Sequence, residues 1–167
     1  MAKRAQAITT ITPTATADTT NLVDATYIGI IQGGSSTQRL NILEVYQGGQ
    51  AGASSPTFML LSRDSTVAAT VSLGAGQTDA ALDAATAALA AAPLSGNTAT
   101  TKPQRSATLH LLNLSFNAFG GIVRWVAAPG EEISTVGNTA SLGEVSLSAF
   151  TGGTAGLMGA HIIYEPL

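Results

Sequence analysis

The chain is a succession of short apolar runs separated by glycine-rich turns. Apolar and polar residues alternate over 145–149, which is the pattern of a strand with one buried face. Ile30 and Ile31 belong to a segment with two apolar faces, as in strands that are covered on both sides. Turns are predicted at four glycine doublets, because glycine accepts the positive φ angles that tight turns need. These doublets are 33–34, 48–49, 120–121 and 152–153.

The segment 38–46 also predicts a strand with two apolar faces. In a regular strand, Leu40, Ile42 and Tyr46 would line one face. Leu43 and Val45 would then line the other face. Such a strand is expected to be covered on both sides, and another subunit can provide one of the two covers.

Seven or eight strands of this kind, separated by turns, predict an all-β fold in which two sheets form a sandwich. A jelly roll is the favoured topology, and an immunoglobulin-like sandwich is the alternative. The two topologies share a strand count, so the strand pattern alone does not separate them.

One stretch departs from the β pattern. Residues 79–93 read DAALDAATAALAAAP, with carboxylates near the start, where they favour the positive end of a helix, and a proline at the end. Leu82 and Leu89 are seven positions apart and would share one stripe of a helix. The stretch therefore predicts one short helical insert of three turns over 79–92. The alternative is a long alanine-rich loop, because the stripe has only two large residues.

The first 22 residues are rich in threonine and alanine and include a proline. Ile8 alternates with threonines at positions 10, 12 and 14, which suits an extended segment. Side chains this small bury little apolar area, so a packed strand is not expected. We therefore interpret 1–22 as an extended N-terminal arm and 23–167 as the β-sandwich domain. A disordered terminus is the alternative.

Charged residues make up only 10% of the 167-residue chain, against about 25% in ordinary soluble domains. A surface with so little charge has little to oppose association, so much of it is predicted to be covered by other subunits. The seven Lys and Arg residues are scattered, whereas nucleic-acid binding needs clustered cations. No apolar run approaches the ~20 residues of a membrane span. Neither nucleic acid nor a membrane is therefore an expected partner.

No arrangement of residues indicates catalysis, a metal ion or a cofactor. His110 and His161 lack the neighbouring ligands of a metal site, and the chain has no cysteine. Glu131 and Glu132 are adjacent, so on a strand their side chains would point apart instead of acting as an acid–base pair. The sequence contains neither a nucleophile elbow nor a phosphate-binding loop. Trp125 is expected in the core. The chain is therefore not expected to be an enzyme.

Four stretches, which together span most of the chain, contain few charged residues and are interrupted by glycines. They are the arm 1–22, the segments IIQGGSSTQRLNILEVYQGGQ and LSFNAFGGIVRWVAAPGEE, and the end FTGGTAGLMGAHIIYEPL. In this composition and spacing of glycines the chain resembles tailed-bacteriophage head proteins, in particular the decoration or cement proteins that bind to a capsid lattice. The resemblance implies a sandwich or jelly-roll subunit, often a trimer, that bridges neighbouring capsid proteins without catalysis. It transfers no functional residue by position.

These features together predict a structural virion protein that decorates the capsid surface and stabilises the viral head. The expected partners are further copies of the chain, as a trimer, and the major capsid protein. The interface is predicted to use the arm and the two-faced strands. Its candidate residues are Ile8, Ile11, Tyr27, Ile30, Leu40, Ile42 and Tyr46.

Two further expectations follow from this hypothesis. Deleting residues 1–20 should weaken attachment to the particle while the sandwich stays folded. The alternative function is a phage-tail, receptor-binding or carbohydrate-binding sandwich module, which would need exposed aromatic side chains near Trp125.

Overall fold

The computed structural model describes residues 6–12, 27–67, 79–87, 89, 91, 93–96, 103–137, 142–151 and 157–167. This part of the chain contains eleven strands and no helix. The strands are β1 (Gln6–Thr12), β2 (Tyr27–Gln32), β3 (Leu40–Gln50), β4 (Pro56–Thr66), β5 (Ala80–Ala81), β6 (Leu94–Gly96), β7 (Gln104–Asn117), β8 (Phe119–Val126), β9 (Ile133–Thr135), β10 (Val145–Thr151) and β11 (Leu157–Pro166).

The strands form two antiparallel sheets. In sheet A the order is β5-β1-β11-β3-β8, and β9 also pairs with β3. In sheet B the order is β6-β2-β10-β4-β7. The expected all-β sandwich of two sheets is thus confirmed. The glycine doublet 33–34 lies between β2 and β3 as predicted, whereas 120–121 lies within β8, so its prediction as a turn is wrong. The doublet 152–153 lies outside the described residues.

The strand order defines a jelly roll. When the short strands β5, β6 and β9 are set aside, β1 pairs with β11, β2 with β10, β3 with β8, and β4 with β7. The chain therefore runs out and back as one long hairpin that is rolled into two sheets. In an immunoglobulin-like sandwich the first two strands are neighbours in one sheet, whereas β1 and β2 lie in different sheets. The strand pairing selects the jelly roll over that alternative.

The core lies between the two sheets and is built from alternate residues of their strands. On β10 the apolar residues of 145–149 face this core, as their alternation predicts. Residues of β3, β4 and β11 complete the same buried cluster. Its largest fully buried members are Ile31, Leu40, Ile42, Met59, Leu61, Leu147, Met158 and Tyr164.

A β-bulge interrupts the alternation of β3. The register of β3 against β11 shifts at Leu43, which has no partner residue on β11. The extra residue allows both Ile42 and Val45 to enter the core and turns Tyr46 to the opposite side of the sheet. The prediction that Tyr46 shares a face with Leu40 and Ile42 is therefore wrong, because it assumed a regular strand.

The N-terminal segment is a strand of the sandwich in the part that is described. Gln6–Thr12 lies between β5 and β11, and all seven of its residues pair with β11. The interpretation as an arm gave too much weight to side-chain size, because a strand inside a sheet is also held by its main-chain hydrogen bonds. The rest of 1–22 lies outside the described residues, so a domain boundary at residue 22 stays a prediction.

The helical insert predicted over 79–92 is wrong for the described residues of that stretch. Ala80–Ala81 forms β5 and pairs with β1. The chain then turns at Asp83, whose carboxylate accepts a hydrogen bond from the Ala85 amide at 2.9 Å. The Asp83 carbonyl accepts another from the Thr86 amide at 2.9 Å. An aspartate that bonds its own backbone in this way favours a turn over a helix.

Asp79 does not lie in the first turn of a helix. It makes hydrogen bonds to residues that are distant in sequence. Its carboxylate accepts hydrogen bonds from the Tyr164 hydroxyl at 3.0 Å and the Ser95 hydroxyl at 2.8 Å. Burial raises the pKa of Asp79, and these two hydrogen bonds oppose that shift. Tyr164 is fully buried, so Asp79 provides the partner that its hydroxyl needs. This contact links the chain after β4 to the last strand and overrides the helix propensity of the alanines.

Candidate functional site

Sheet A has an outer side that faces away from the core. Because of the bulge in β3 and the alternation of side chains along strands, this side is built from alternate residues of β3, β8 and β11. We define the sheet A face by eight of these residues: Glu44, Tyr46, Gly48, Ile122, Arg124, Val126, His161 and Ile163.

Exposed apolar side chains are concentrated on β8. Phe119 and Ile122 are each 60% exposed, and Val126 is 53% exposed. On the opposite side of the same strand, Val123 and Trp125 pack against the core. Scattered single apolar residues are normal on a protein surface, but a contiguous apolar patch marks an interaction site. The sheet A face is therefore the candidate functional site.

A groove of about 600 Å³ lies on this face next to Ile122. Glycines from β3, β8 and β11 line much of it, and their missing side chains leave the hollow open. We call it the glycine groove. Its lining residues are Tyr46, Gly48, Gly49, Gln50, Gly120, Gly121, Ile122, Met158, Gly159, Ala160 and His161. A volume of this size lies within the range of about 300–1,000 Å³ that is usual for ligand pockets.

Two of these glycines have a steric role. A Cβ atom on Gly49 would lie 2.8 Å from the Cβ of Ala118, so Gly49 allows β3 to approach the connection between β7 and β8. A Cβ atom on Gly48 would lie 3.1 Å from Cγ2 of Ile122, so Gly48 leaves room for that side chain. The doublet 48–49 was predicted to be a turn, and that prediction is wrong because both residues lie within β3.

One charged pair crosses the sheet A face. Arg124 donates from Nε to Glu44 Oε1 at 2.7 Å and from Nη2 to Glu44 Oε2 at 2.9 Å. The hydrogen bond from Arg124 lowers the pKa of Glu44. An exposed pair of this kind adds little to the stability of the fold. Its consequence for function is that the two charges on the face already compensate each other.

The structure places the predicted interface residues in three groups. Ile30, Leu40 and Ile42 are buried inside the subunit, and their role in an interface stays a prediction. Tyr46 lies on the sheet A face and lines the glycine groove. The remaining three predicted residues are Ile8, Ile11 and Tyr27. Their main chains pair with neighbouring strands of the sandwich.

Sheet B carries a buried polar cluster on the side that faces away from the core. Ser146 and Ser148 occupy the polar side of β10, which was expected to be wet and is instead buried. Ser146 donates its hydroxyl hydrogen to Asp64 Oδ1 at 2.6 Å. Glu144 and Arg105 are also buried, and Arg105 lies opposite Asp64 across the β4–β7 pair. We call Asp64, Arg105, Glu144, Ser146 and Ser148 the sheet B cluster.

Two carboxyl groups and one guanidinium therefore lie together in a buried environment. Burial raises the pKa of Asp64 to about 9, and the nearby Glu144 carboxyl acts in the same direction. The hydrogen bond from Ser146 and the charge of Arg105 oppose the shift without cancelling it. At neutral pH Asp64 is protonated. Protonation of Asp64 reduces the negative charge that is buried in the cluster beside Arg105.

The shifted pKa predicts that the protein becomes less stable as the pH rises. Asp64 holds its proton up to about pH 9 when folded but loses it near pH 4 when unfolded, so the folded state binds more protons between these values. The contribution of Asp64 is complete below about pH 4 and decreases up to about pH 9. Urea midpoints measured at pH 5, 7 and 9 are expected to fall in that order. Asp64→Asn should flatten the trend, and an unchanged trend in that variant would contradict the assignment.

The remaining residues considered from the sequence do not form a site. His110 is exposed on β7, and His161 lines the glycine groove. In the described part of the chain, no group of three or more acidic, histidine or cysteine side chains could hold a metal ion. Trp125 is partly buried and packs against the core, as expected. Among the described residues there is also no helix with the length and apolar character to cross a bilayer.

Comparisons with known proteins give no family. No family model and no curated protein matches the sequence. One similar solved structure is a chain of the T13 IBDV viral particle, with 11% identity and a TM-score of 0.19. The match covers 99% of this chain and 40% of that chain, so this chain spans about two fifths of the length of the capsid chain that it matches. A TM-score this low defines no common fold.

Proposed function

We propose that the protein is a structural subunit of a virus particle and that it works by covering and joining its neighbours. The observation that supports this proposal most directly is the sheet A face. It combines exposed apolar side chains on β8, the glycine groove and a compensated charge pair. The jelly roll is a recurrent architecture of viral capsid proteins, although lectins and cupins share it. The fold therefore agrees with the proposal, and the face supplies the means of association.

The mechanism is additive burial of neutral surface. Removing apolar area from water contributes about 25 cal/mol per Å², so a face that includes Ile122 and Val126, with Phe119 beside it on β8, gains stability when a neighbour covers it. Each contact is modest because it must also offset the loss of rotational and translational freedom. Repetition on a lattice raises the effective concentration of each subunit and turns weak single contacts into firm attachment.

The more specific proposal is a capsid decoration protein on the surface of a viral head. The four stretches that resemble bacteriophage decoration proteins support it, and the low charge of the chain agrees with a surface that is mostly covered. The resemblance adds the major capsid protein as a partner and a purely structural role without catalysis. The alternative of a carbohydrate-binding module has less support, because Trp125 packs against the core and is not presented for stacking.

The test is the composition of purified particles of the virus that encodes the chain. Particles banded on a density gradient are expected to contain the protein at a fixed ratio to the major capsid protein, as measured by quantitative mass spectrometry. The reason is that a subunit held by lattice contacts fills a defined set of sites. A protein that is abundant in infected cells but absent from these particles would contradict the proposed function.

A further inference from the structure

We propose that the sheet A face pairs with the same face of a second copy, with Ile122 of each copy seated in the glycine groove of the other. The inference rests on the proposed function, because it identifies one partner of the face on which that function depends. The observations that favour a second copy are a projection and a hollow side by side on one surface and a self-complementary charge pattern.

The projection and the hollow are neighbours in the sheet. Ile122 stands 60% exposed on β8, directly opposite Gly48 across the β3–β8 pair. A twofold axis that runs parallel to the strands, midway between β3 and β8, would exchange these two positions. It would set Ile122 over the partner's Gly48 and Gly48 under the partner's Ile122. Such a contact is isologous, so both copies use the same surface and the assembly closes as a pair.

The same operation suits the charges of the face. Arg124 is opposite Tyr46 in the register, so it would lie over the ring of the partner's Tyr46, where a guanidinium makes a favourable cation–π contact. Glu44 already accepts two hydrogen bonds from Arg124, so the approach of the second face buries no uncompensated carboxylate. In the pair, each Arg124 would also lie diagonally across from the partner's Glu44. The charge pattern is therefore complementary to itself.

The size of the face sets the strength of the pair. Because the axis lies between β3 and the edge strand β8, only these two strands overlap in the pair. Strands about 4.8 Å apart that rise about 3.3 Å per residue give an overlap of roughly 250 Å² per copy over eight residues. A total of roughly 500 Å² is below the size of stable specific interfaces. The pair is therefore expected to be weak, with dissociation in the high micromolar to millimolar range, and to form fully when subunits are concentrated on a particle.

Sedimentation velocity from about 20 μM to 2 mM tests the pairing. The wild-type protein is expected to shift from one-copy to two-copy mass within this range. Ile122→Ser removes the projection and should raise the dissociation constant at least tenfold. Leu109→Ser is the matched control, because Leu109 is 40% exposed on β7 of sheet B and lies off the face. Circular dichroism of each variant verifies that the fold is retained.

Charge exchange provides a second test that does not depend on the loss of an apolar side chain. Glu44→Lys and Arg124→Glu each place like charges on both faces, so each variant alone is expected to pair at least tenfold more weakly than the wild type. An equimolar mixture brings opposite charges together and should restore pairing between the two variants. Recovery in the mixture is not expected if the variants merely weaken the fold.

Three results would overturn the pairing. They are a one-copy mass at every concentration, equal effects of Ile122→Ser and Leu109→Ser, and a mixture that stays as dissociated as its components. A three-copy mass would likewise exclude the twofold arrangement. The proposed function fails separately, through absence of the protein from purified particles. A particle-bound protein that is monomeric in every solution experiment would retain the function and reject the pair.

Discussion

A protein that lacks residues 1–12 is expected not to fold. The deletion removes β1, all seven residues of which pair with β11, and leaves β11 with an open edge beside the core. With a net value of about 0.5–1.5 kcal/mol for each main-chain hydrogen bond, the loss is a large share of a typical stability of about 5–15 kcal/mol. Far-ultraviolet circular dichroism and limited proteolysis should show loss of sheet structure and rapid cleavage.

The control for this experiment is a protein that lacks only residues 1–5, which keeps the whole of β1. It should unfold at nearly the same urea concentration as the full chain. If the longer deletion also unfolds at that concentration, β1 is dispensable and the original interpretation of 1–22 as an arm is restored. The sequence-based expectation that deleting residues 1–20 leaves the sandwich intact is the opposite of the result predicted from the sheet pairing.

Replacing Arg105 by methionine is expected to destabilise the protein by about 3–5 kcal/mol, the usual loss when one partner of a buried charged group is removed. Arg105 is 2% exposed and is the cation of the sheet B cluster, opposite Asp64. Without it, the buried carboxyl groups lose the charge that stabilises their ionised form. Urea unfolding at pH 7 measures the effect. The matched control is Arg39→Met, because Arg39 is exposed and this change should alter stability by less than about 0.5 kcal/mol.

The origin of the effect can be separated from lost packing. If Arg105 acts through charge, its replacement should be more damaging at pH 9 than at pH 5, because Asp64 begins to ionise near pH 9. At pH 9, where Asp64 ionises, the double variant with Asp64→Asn should recover part of the loss, which a double-mutant cycle expresses as a coupling energy. Equal losses at the two pH values, or losses that simply add, would show that Arg105 contributes only its aliphatic contacts.

The sequence pattern predicts the fold well where strands are regular. The alternation over 145–149 identifies the core side of β10, and the two apolar faces around Ile30 and Ile31 agree with burial on both sides of β2. The jelly roll was the favoured topology, and the pairing of first with last strands decides in its favour. That decision required strand partners, since an immunoglobulin-like sandwich has similar strands in a different order.

The errors arise where a local pattern is overridden by contacts distant in sequence. The alanines of 79–92 favour a helix, but Asp79 is held by Tyr164 and Ala80–Ala81 pairs with β1. The main-chain pairing of β1 compensates for its small side chains. Neither contact leaves a signal in the neighbouring sequence, so propensity and periodicity could not reveal them.

The candidate site was only partly foreseeable. Trp125 was predicted to lie in the core. The opposite face of its strand could have been examined as an apolar surface, because it includes Ile122 and Val126. The glycine groove could not be predicted, since it needs glycines of three strands at one level of the sheet. The placement of Tyr46 on this surface depends on the bulge at Leu43, for which a hydrophobic pattern gives no warning.

Hydroxyl-radical footprinting tests the central claim most directly, because it reports which side chains a neighbour covers. Labelling of Phe119, Ile122 and Val126 is expected to be strong in the dilute isolated protein and to fall severalfold in purified particles, whereas Leu82 and Leu109 serve as exposed references. Equal labelling of the three β8 side chains in both samples would show that the sheet A face stays in water, and would contradict the account of a protein that works through that face.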